Sequence, residues 1–320
     1  MTTRTAKRVT VTRSPSPHAK AARRLVRENG CIVLATNGSA EAGAALRFAA
    51  ALAAREQALL HVLTVLEPLP ALPAQAAGAA YHTGFEMERG DEIVKRAHAE
   101  LAALPTPPRS LATMLVGAPG PSIANAAQEW EADLIVVGAG RHGAIERFLA
   151  GDNVVRILRH ATVPVITVPT ADGALPRDGI VAIDFGAASL AAARLAASLA
   201  GSGSLQLVHV RPEIDIPPTD PSGWSALYEA GANDLLTKLG DELRLDYPGL
   251  HVTNRLMKGH TATVLLDLIG RSGADLIAVG QHGHGVVDRF LFGSVAQAMV
   301  RSAPCAVMVT PTQGAGAVDR

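Results

Sequence analysis

Two stretches of this chain can be laid on one another without a gap, and that self-similarity limits the fold more than any other feature. The segment EADLIVVGAGRHGAIERFLAGDNV (131–154) aligns with GADLIAVGQHGHGVVDRFLFGSVA (273–296). Gly138 falls on Gly280, Gly143 on Gly285 and Gly151 on Gly293, each pair 142 positions apart. The tripeptide Arg-Phe-Leu recurs from Arg147 and from Arg289. Duplication of a folding unit is the economical explanation, so the 320 residues should form two similar units.

Each unit shows the same alternation. In the first, apolar runs of strand length sit at 31–36, 58–65, 111–116, 133–138 and 163–168, with helical stretches between them. In the second, GIVAID (179–184), SLQLVHV (204–210), HVTNRLM (251–257), DLIAVG (275–280) and CAVMVT (305–310) take the matching places. Buried strands alternating with helices predict an α/β fold, two tandem doubly wound parallel five-stranded sheets with right-handed crossovers. PTADGALPRDG (169–179) lacks periodicity and reads as the linker. The expected organisation is a basic, solvated arm over 1–29, one domain over 30–169 and a second over 178–311. Only 3% of residues are aromatic against 48% hydrophobic, so the cores must be built from Ala, Val, Leu and Ile. Cys31 and Cys305 each open an apolar run and read as small buried thiols.

The charge balance, 29 basic against 29 acidic residues, gives no reason to expect specific nucleic acid as a partner. No apolar run is long enough to span a membrane. There is no G-x-S-x-G elbow, no Cys–His arrangement and no paired-carboxylate spacing, so no catalytic residues are assigned. His282 and His284 read as exposed loop residues rather than metal ligands, and no metal site is assigned.

The chemistry concentrates in Gly280-Gln-His-Gly283, followed after nine residues by Gly293-Ser294. This segment follows a strand and precedes a helix. Gly280 and Gly283 let the backbone turn sharply and approach a ligand closely. Gly293, Ser294 and Val295 bring unpaired amides and the positive end of a helix dipole to one place, a setting for phosphate. No lysine follows the glycines, so this is not a Walker loop, and it follows the fourth strand of its unit, where the dinucleotide fingerprint follows the first. Asp184 ends the first strand of the second unit. If the first and fourth strands are neighbours, Asp184 and Gly280 face one crevice at the carboxyl ends of the sheet. Plainer readings stand beside these. Ser294 reads equally as an N-cap, Asp184 as the cap of a helix beginning near Ala187, His209 as a hydrogen-bonded packing residue, and Arg147 and Arg289 as surface ion pairs.

Glycine, two residues, glycine, nine residues, glycine and serine, with an aspartate after the first strand and His209-Val210 ending the second, resembles the universal stress protein family. The resemblance covers nearly all of 31–311. It implies strand order 3-2-1-4-5 in each unit, and contact between the units through their last strands as an internal pseudo-dimer, with a homodimer of whole chains also compatible. It implies ATP as ligand, with Mg2+ as counter-ion, held by Asp184, Val210, Gly280, Gly283, Gly293, Ser294 and Val295. A cytoplasmic stress or dormancy regulator acting on a protein partner is the functional expectation. A nucleotide-independent scaffold and a weak ATPase are the alternatives. The first unit departs from the pattern: Asn37 replaces the aspartate, Arg141 the second glycine and Asp152 the serine. Its loop is therefore expected to be degenerate.

Overall fold

The computed structural model describes residues 24–39, 42–67, 77–139, 146–169, 173–211, 223–281 and 293–312. The first half runs β1 (Cys31–Ala35), α1 (Ala42–Glu56), β2 (Leu59–Leu66), α2 (Ala77–Ala102), β3 (Ser110–Val116), α3 (Pro119–Glu129), β4 (Leu134–Gly138), α4 (Glu146–His160) and β5 (Val165–Val168). The second runs β6 (Asp178–Ala182), α5 (Ala187–Ala200), β7 (Ser204–Arg211), α6 (Trp224–Asp246), β8 (His251–Lys258), α7 (Thr261–Ser272), β9 (Leu276–Gly280), α8 (Ser294–Ser302) and β10 (Ala306–Thr310). Every expected strand is present, within two residues of its expected ends.

The two halves share one ten-stranded sheet in the order β3-β2-β1-β4-β5-β10-β9-β6-β7-β8. Within each half the order is 3-2-1-4-5 and every pairing is parallel. The joint alone is antiparallel: Val309 lies opposite Val165, Met308 opposite Ile166 and Val307 opposite Thr167. Both joint strands are buried along their whole length. Left open, either would present unpaired backbone groups flanked by apolar side chains, and pairing them removes both edges at once.

Helices cover both faces, as a parallel sheet requires. On one face Leu46, Phe48 and Leu52 of α1, Leu101 of α2, Leu195 and Leu199 of α5, and Leu236 and Leu243 of α6 form one core. On the other, Ile123 of α3, Ile157 and Leu158 of α4, Leu265 and Ile269 of α7, and Met299 of α8 form a second. Most alanines of α1 and α5 are buried against the sheet, and their small side chains let these helices lie close to it.

Three further contacts tie the elements together. Asp133 and Asp275, 142 positions apart in the repeat, do the same structural work. The Asp133 carboxylate accepts the Cys31 amide (3.1 Å), and the Asp275 carboxylate accepts those of Arg177 and Asp178 (both 2.9 Å), so each pins the start of its half's first strand. The linker is pressed onto α1: Gly173 has φ +76°, and a Cβ there would stand 2.4 Å from the Ala44 carbonyl oxygen. Leu25 and Val26, placed by sequence in a solvated arm, are instead buried in the first core, and the Leu25 amide donates to Ser198 Oγ of α5 at 2.8 Å. Both are apolar residues of a basic segment, and the cleft beside α1 and α5 gives them somewhere to bury. No helix among the described residues is long and apolar enough to cross a membrane.

Cys31 and Cys305 are buried, and neither is in a disulfide. Burial, reinforced by the nearby Asp133 carboxylate, pushes the Cys31 thiol up to about 11. At pH 8 Cys31 therefore stays a thiol, and a thiolate-specific disulfide reagent should label it only after denaturation. Met308 is fully buried at the joint. Met308→Ala should lower the unfolding free energy by about 2–5 kcal/mol in a urea titration.

Candidate functional site

The winding direction of the second half reverses between β6 and β9, which pair in parallel from Gly179 to Val181 against Leu276 to Ala278. From β6 the chain leaves through α5 to β7 on one side, and from β9 through α8 to β10 on the other. The carboxyl ends of β6 and β9 therefore open a crevice where ligands of such sheets sit. Gly280 ends β9 at that place, and a Cβ there would stand 3.0 Å from Ala188 Cβ and 3.1 Å from the Ser189 amide nitrogen. Gly280 thus brings the strand end and the head of α5 together, with Asp184 in the turn between β6 and α5.

Asp184 is half-buried and does not cap α5. The N-cap is Gly186, with no side-chain cap bond. Asp184 Oδ1 instead accepts the Gly186 amide (2.9 Å) and the hydroxyl of buried Ser189 (2.5 Å). Asn37 makes the same two-residue turn in the first half, its Oδ1 accepting the Ser39 amide at 3.1 Å. The turn therefore needs a side-chain oxygen and not a charge; the negative charge of Asp184 is what the second half adds. Phe185, next along, is a non-glycine residue at φ +63°. Backbone strain of that kind collects where a surrounding structure holds a site in shape.

His209 supplies part of that support. Its Nδ1 lies 2.7 Å from the Ile183 carbonyl, which can only accept, so Nδ1 carries the hydrogen. Nε2 then accepts from the Tyr228 hydroxyl at 2.7 Å, and the ring packs on Phe185 with centroids 4.7 Å apart. His209 is the hydrogen-bonded packing residue that the sequence suggested. Val210 follows it, 8% exposed, one residue short of the end of β7. Beyond it Arg211 bonds Ser225 Oγ (2.9 Å) and shares the Glu229 carboxylate with Lys258, at 3.5 and 2.9 Å. The Lys258 hydrogen bond holds Glu229 below the usual carboxylate range. Two cations thus share one carboxylate at this strand end.

Gly293 is the N-cap of α8, in extended conformation and without a side-chain cap bond. Ser294 is the first helical residue, so the N-cap reading of Ser294 is corrected. The amides of Ser294, Val295 and Ala296 precede the first intrahelical bond, from Gln297 N–H to the Gly293 carbonyl at 3.0 Å. Ser294 is exposed, and Gly293 and Val295 are half-buried. Helix and crevice are joined at Gln281, whose carbonyl accepts the Gly293 amide at 3.0 Å.

The first half builds this region differently. Its helix α4 starts at Glu146, so Gly151 and Asp152, the counterparts of Gly293 and Ser294, lie inside a helix. Amides at that depth are spent on intrahelical bonds. A pocket of about 110 Å3 between α1 and α2, lined by Thr36, Ser39, Ile93, Arg96 and Glu100, lies beside the first half's turn. Gly283, His282, His284, Arg289 and Arg141 lie outside the described residues. Among those described, no group of three or more His, Cys, Asp or Glu could hold a metal ion. Ser189, Phe185 and Tyr228 escaped sequence reading. Ser189, five residues after Asp184 in a glycine turn, was the one with a readable signal.

A profile of the Universal stress protein family matches residues 29–169 and 180–311. A universal stress protein of Mycolicibacterium smegmatis is 29% identical over 296 residues, covering 87% of this chain and 96% of its own length. One from Mycobacterium tuberculosis is 27% identical over 308 residues, covering 87% and 94%. Among solved structures, a universal stress protein from Archaeoglobus fulgidus superposes with TM-score 0.66 at 19% identity, over 89% of this chain and 99% of that one. A Pseudomonas aeruginosa structure described as a putative universal stress protein gives 0.60 at 13%, over 92% and 98%. These two structures share the fold.

Because Asn37 makes the turn that Asp184 makes, Asp184→Asn should leave the thermal midpoint unchanged within error. Asp184→Ala, which leaves the Gly186 amide and Ser189 hydroxyl without that acceptor, should cost about 1 kcal/mol in chemical denaturation.

Proposed function

Since this chain belongs to the universal stress protein family, we propose that its second half binds an adenine nucleotide, ATP with Mg2+ as counter-ion, and that occupancy changes the surface offered to a regulatory protein partner. The observation that carries this reading is the head of α8. Three amides and a serine hydroxyl meet there without a side-chain cap, at the mouth of the crevice that also holds Asp184. A phosphate satisfies such donors and lies in favourable helix-dipole potential. Gly280 keeps the crevice floor free of a side chain, and the Asp184 carboxylate offers an acceptor for base or ribose. Val210 lines the adenine side, and Gly283 belongs to the same glycine pattern. Because the sequence offers no G-x-S-x-G elbow, Cys–His arrangement or paired-carboxylate spacing, the reading is binding and signalling rather than turnover. The first half serves assembly, its corresponding amides being committed inside α4.

Isothermal calorimetry of the whole chain with ATP and Mg2+ tests this. One site per chain is expected. Ser294→Asp sets a carboxylate where a phosphate would lie and should weaken binding by about tenfold or more, since like charges at contact distance repel by a kcal/mol or more. Absence of binding by ATP, ADP and cyclic AMP at millimolar concentration would refute the proposal. So would equal affinity of the wild type and Ser294→Asp.

A further inference from the structure

The described residues on either side of 282–292 meet at Gln281. Its amide donates to the Thr310 carbonyl of β10 (2.8 Å), and its own carbonyl accepts the Gly293 amide (3.0 Å). Gln281 is 7% exposed, and its Nε2 donates to the Leu158 carbonyl at 2.9 Å. Leu158 belongs to the other half of the molecule, in the last turn of α4. Carbonyls in the last turn of a helix lack an intrahelical donor and carry the negative end of its dipole. Gln281 therefore closes the end of α4 from across the joint. A buried amide is retained only where it finds a partner, and this one finds it in the opposite repeat.

The pseudo-symmetric contact does not exist. Ala139 stands where Gln281 stands, 142 positions earlier. It keeps the backbone bond, donating to the Val168 carbonyl at 2.8 Å, but its methyl group has nothing to donate. The link is one-sided, and it is present in the half whose glycine pattern is intact.

We propose that Gln281 is a positioning residue. It ties the end of β9, and with it the head of α8, to α4 of the first half, so the degenerate repeat holds the competent one in binding geometry. The anchor itself stands on the contacts above; its consequence for ligand rests on the nucleotide reading.

Two variants test it in the whole chain. Gln281→Met keeps the length of the side chain and removes the donor, and Gln281→Ala copies the first half. Hydrogen exchange without nucleotide is read at the hydrogen-bonded amides of Gly293 and Gln297, with α3 as internal control. Exchange should be on the order of fivefold faster in both variants, the size of one net hydrogen bond, with α3 unchanged. The Kd for ATP with Mg2+ should rise by a similar factor, while the urea midpoint falls only by the small amount that one lost hydrogen bond brings. Unaltered exchange at Gly293 in both variants would overturn the anchor. Faster exchange with an unaltered Kd would overturn its role in the site. If the wild type binds no nucleotide, the reading under Proposed function falls, and the exchange rates alone decide the anchor.

Discussion

The antiparallel pairing of β5 with β10 is the contact on which the rest of the molecule depends. Each half alone would end in a short strand whose side chains are buried only when something lies beside it. Joining the two makes one sheet, lays α4 against α8, and lets the second core run from Ile157 and Leu158 to Met299 without interruption. The bond between Gln281 and Leu158 exists because that pairing brings the end of one repeat's helix beside the loop root of the other. Such halves are expected to stabilise one another, since neither core is closed without its neighbour.

The repeats show which parts of the unit are structural and which were free to change. Asp133 and Asp275 are retained because each gathers the amides at the start of a central strand. Asn37 and Asp184 both make the turn before the first helix, one without charge. The divergence lies where a ligand would be. In the first half the helix reaches back to Glu146 and takes up the amides at 152–154; in the second it begins at Ser294 and leaves their counterparts unspent. A few residues of helix length separate a closed helix from an anion-ready one.

Most of the architecture was readable from the sequence. Runs such as CIVLAT and DLIAVG are too apolar and too short for anything but buried strands, and the ungapped repeat supplied the second sheet from the first. The neighbouring of β6 and β9 was implied by the family resemblance, and the pairing observed puts the strand ends before Asp184 and at Gly280 side by side. What was hidden depends on tertiary surroundings. Leu25 and Val26 sit in a basic stretch and are buried only because α1 and α5 offer them a cleft. The left-handed conformation of Phe185 has no sequence signature, because phenylalanine adopts it only under constraint. Ser294 looked like an N-cap by composition, but Gly293 takes that place and Ser294 becomes the first residue of the helix.

The sense of the strands at the joint has a geometric corollary. Antiparallel pairing of two parallel sheets sends their carboxyl ends toward opposite long rims of the shared sheet. The mouth formed by Asp184, Gly280 and α8 therefore opens on one rim, and the matching mouth of the first half on the other. Under the proposed nucleotide reading, a protein partner docking on the nucleotide rim would meet there the amino ends of the first half's strands and the close of α4. Its footprint would combine the live end of one repeat with the blunt end of its twin, so this molecule would be recognised as a polar, two-ended object despite its internal symmetry.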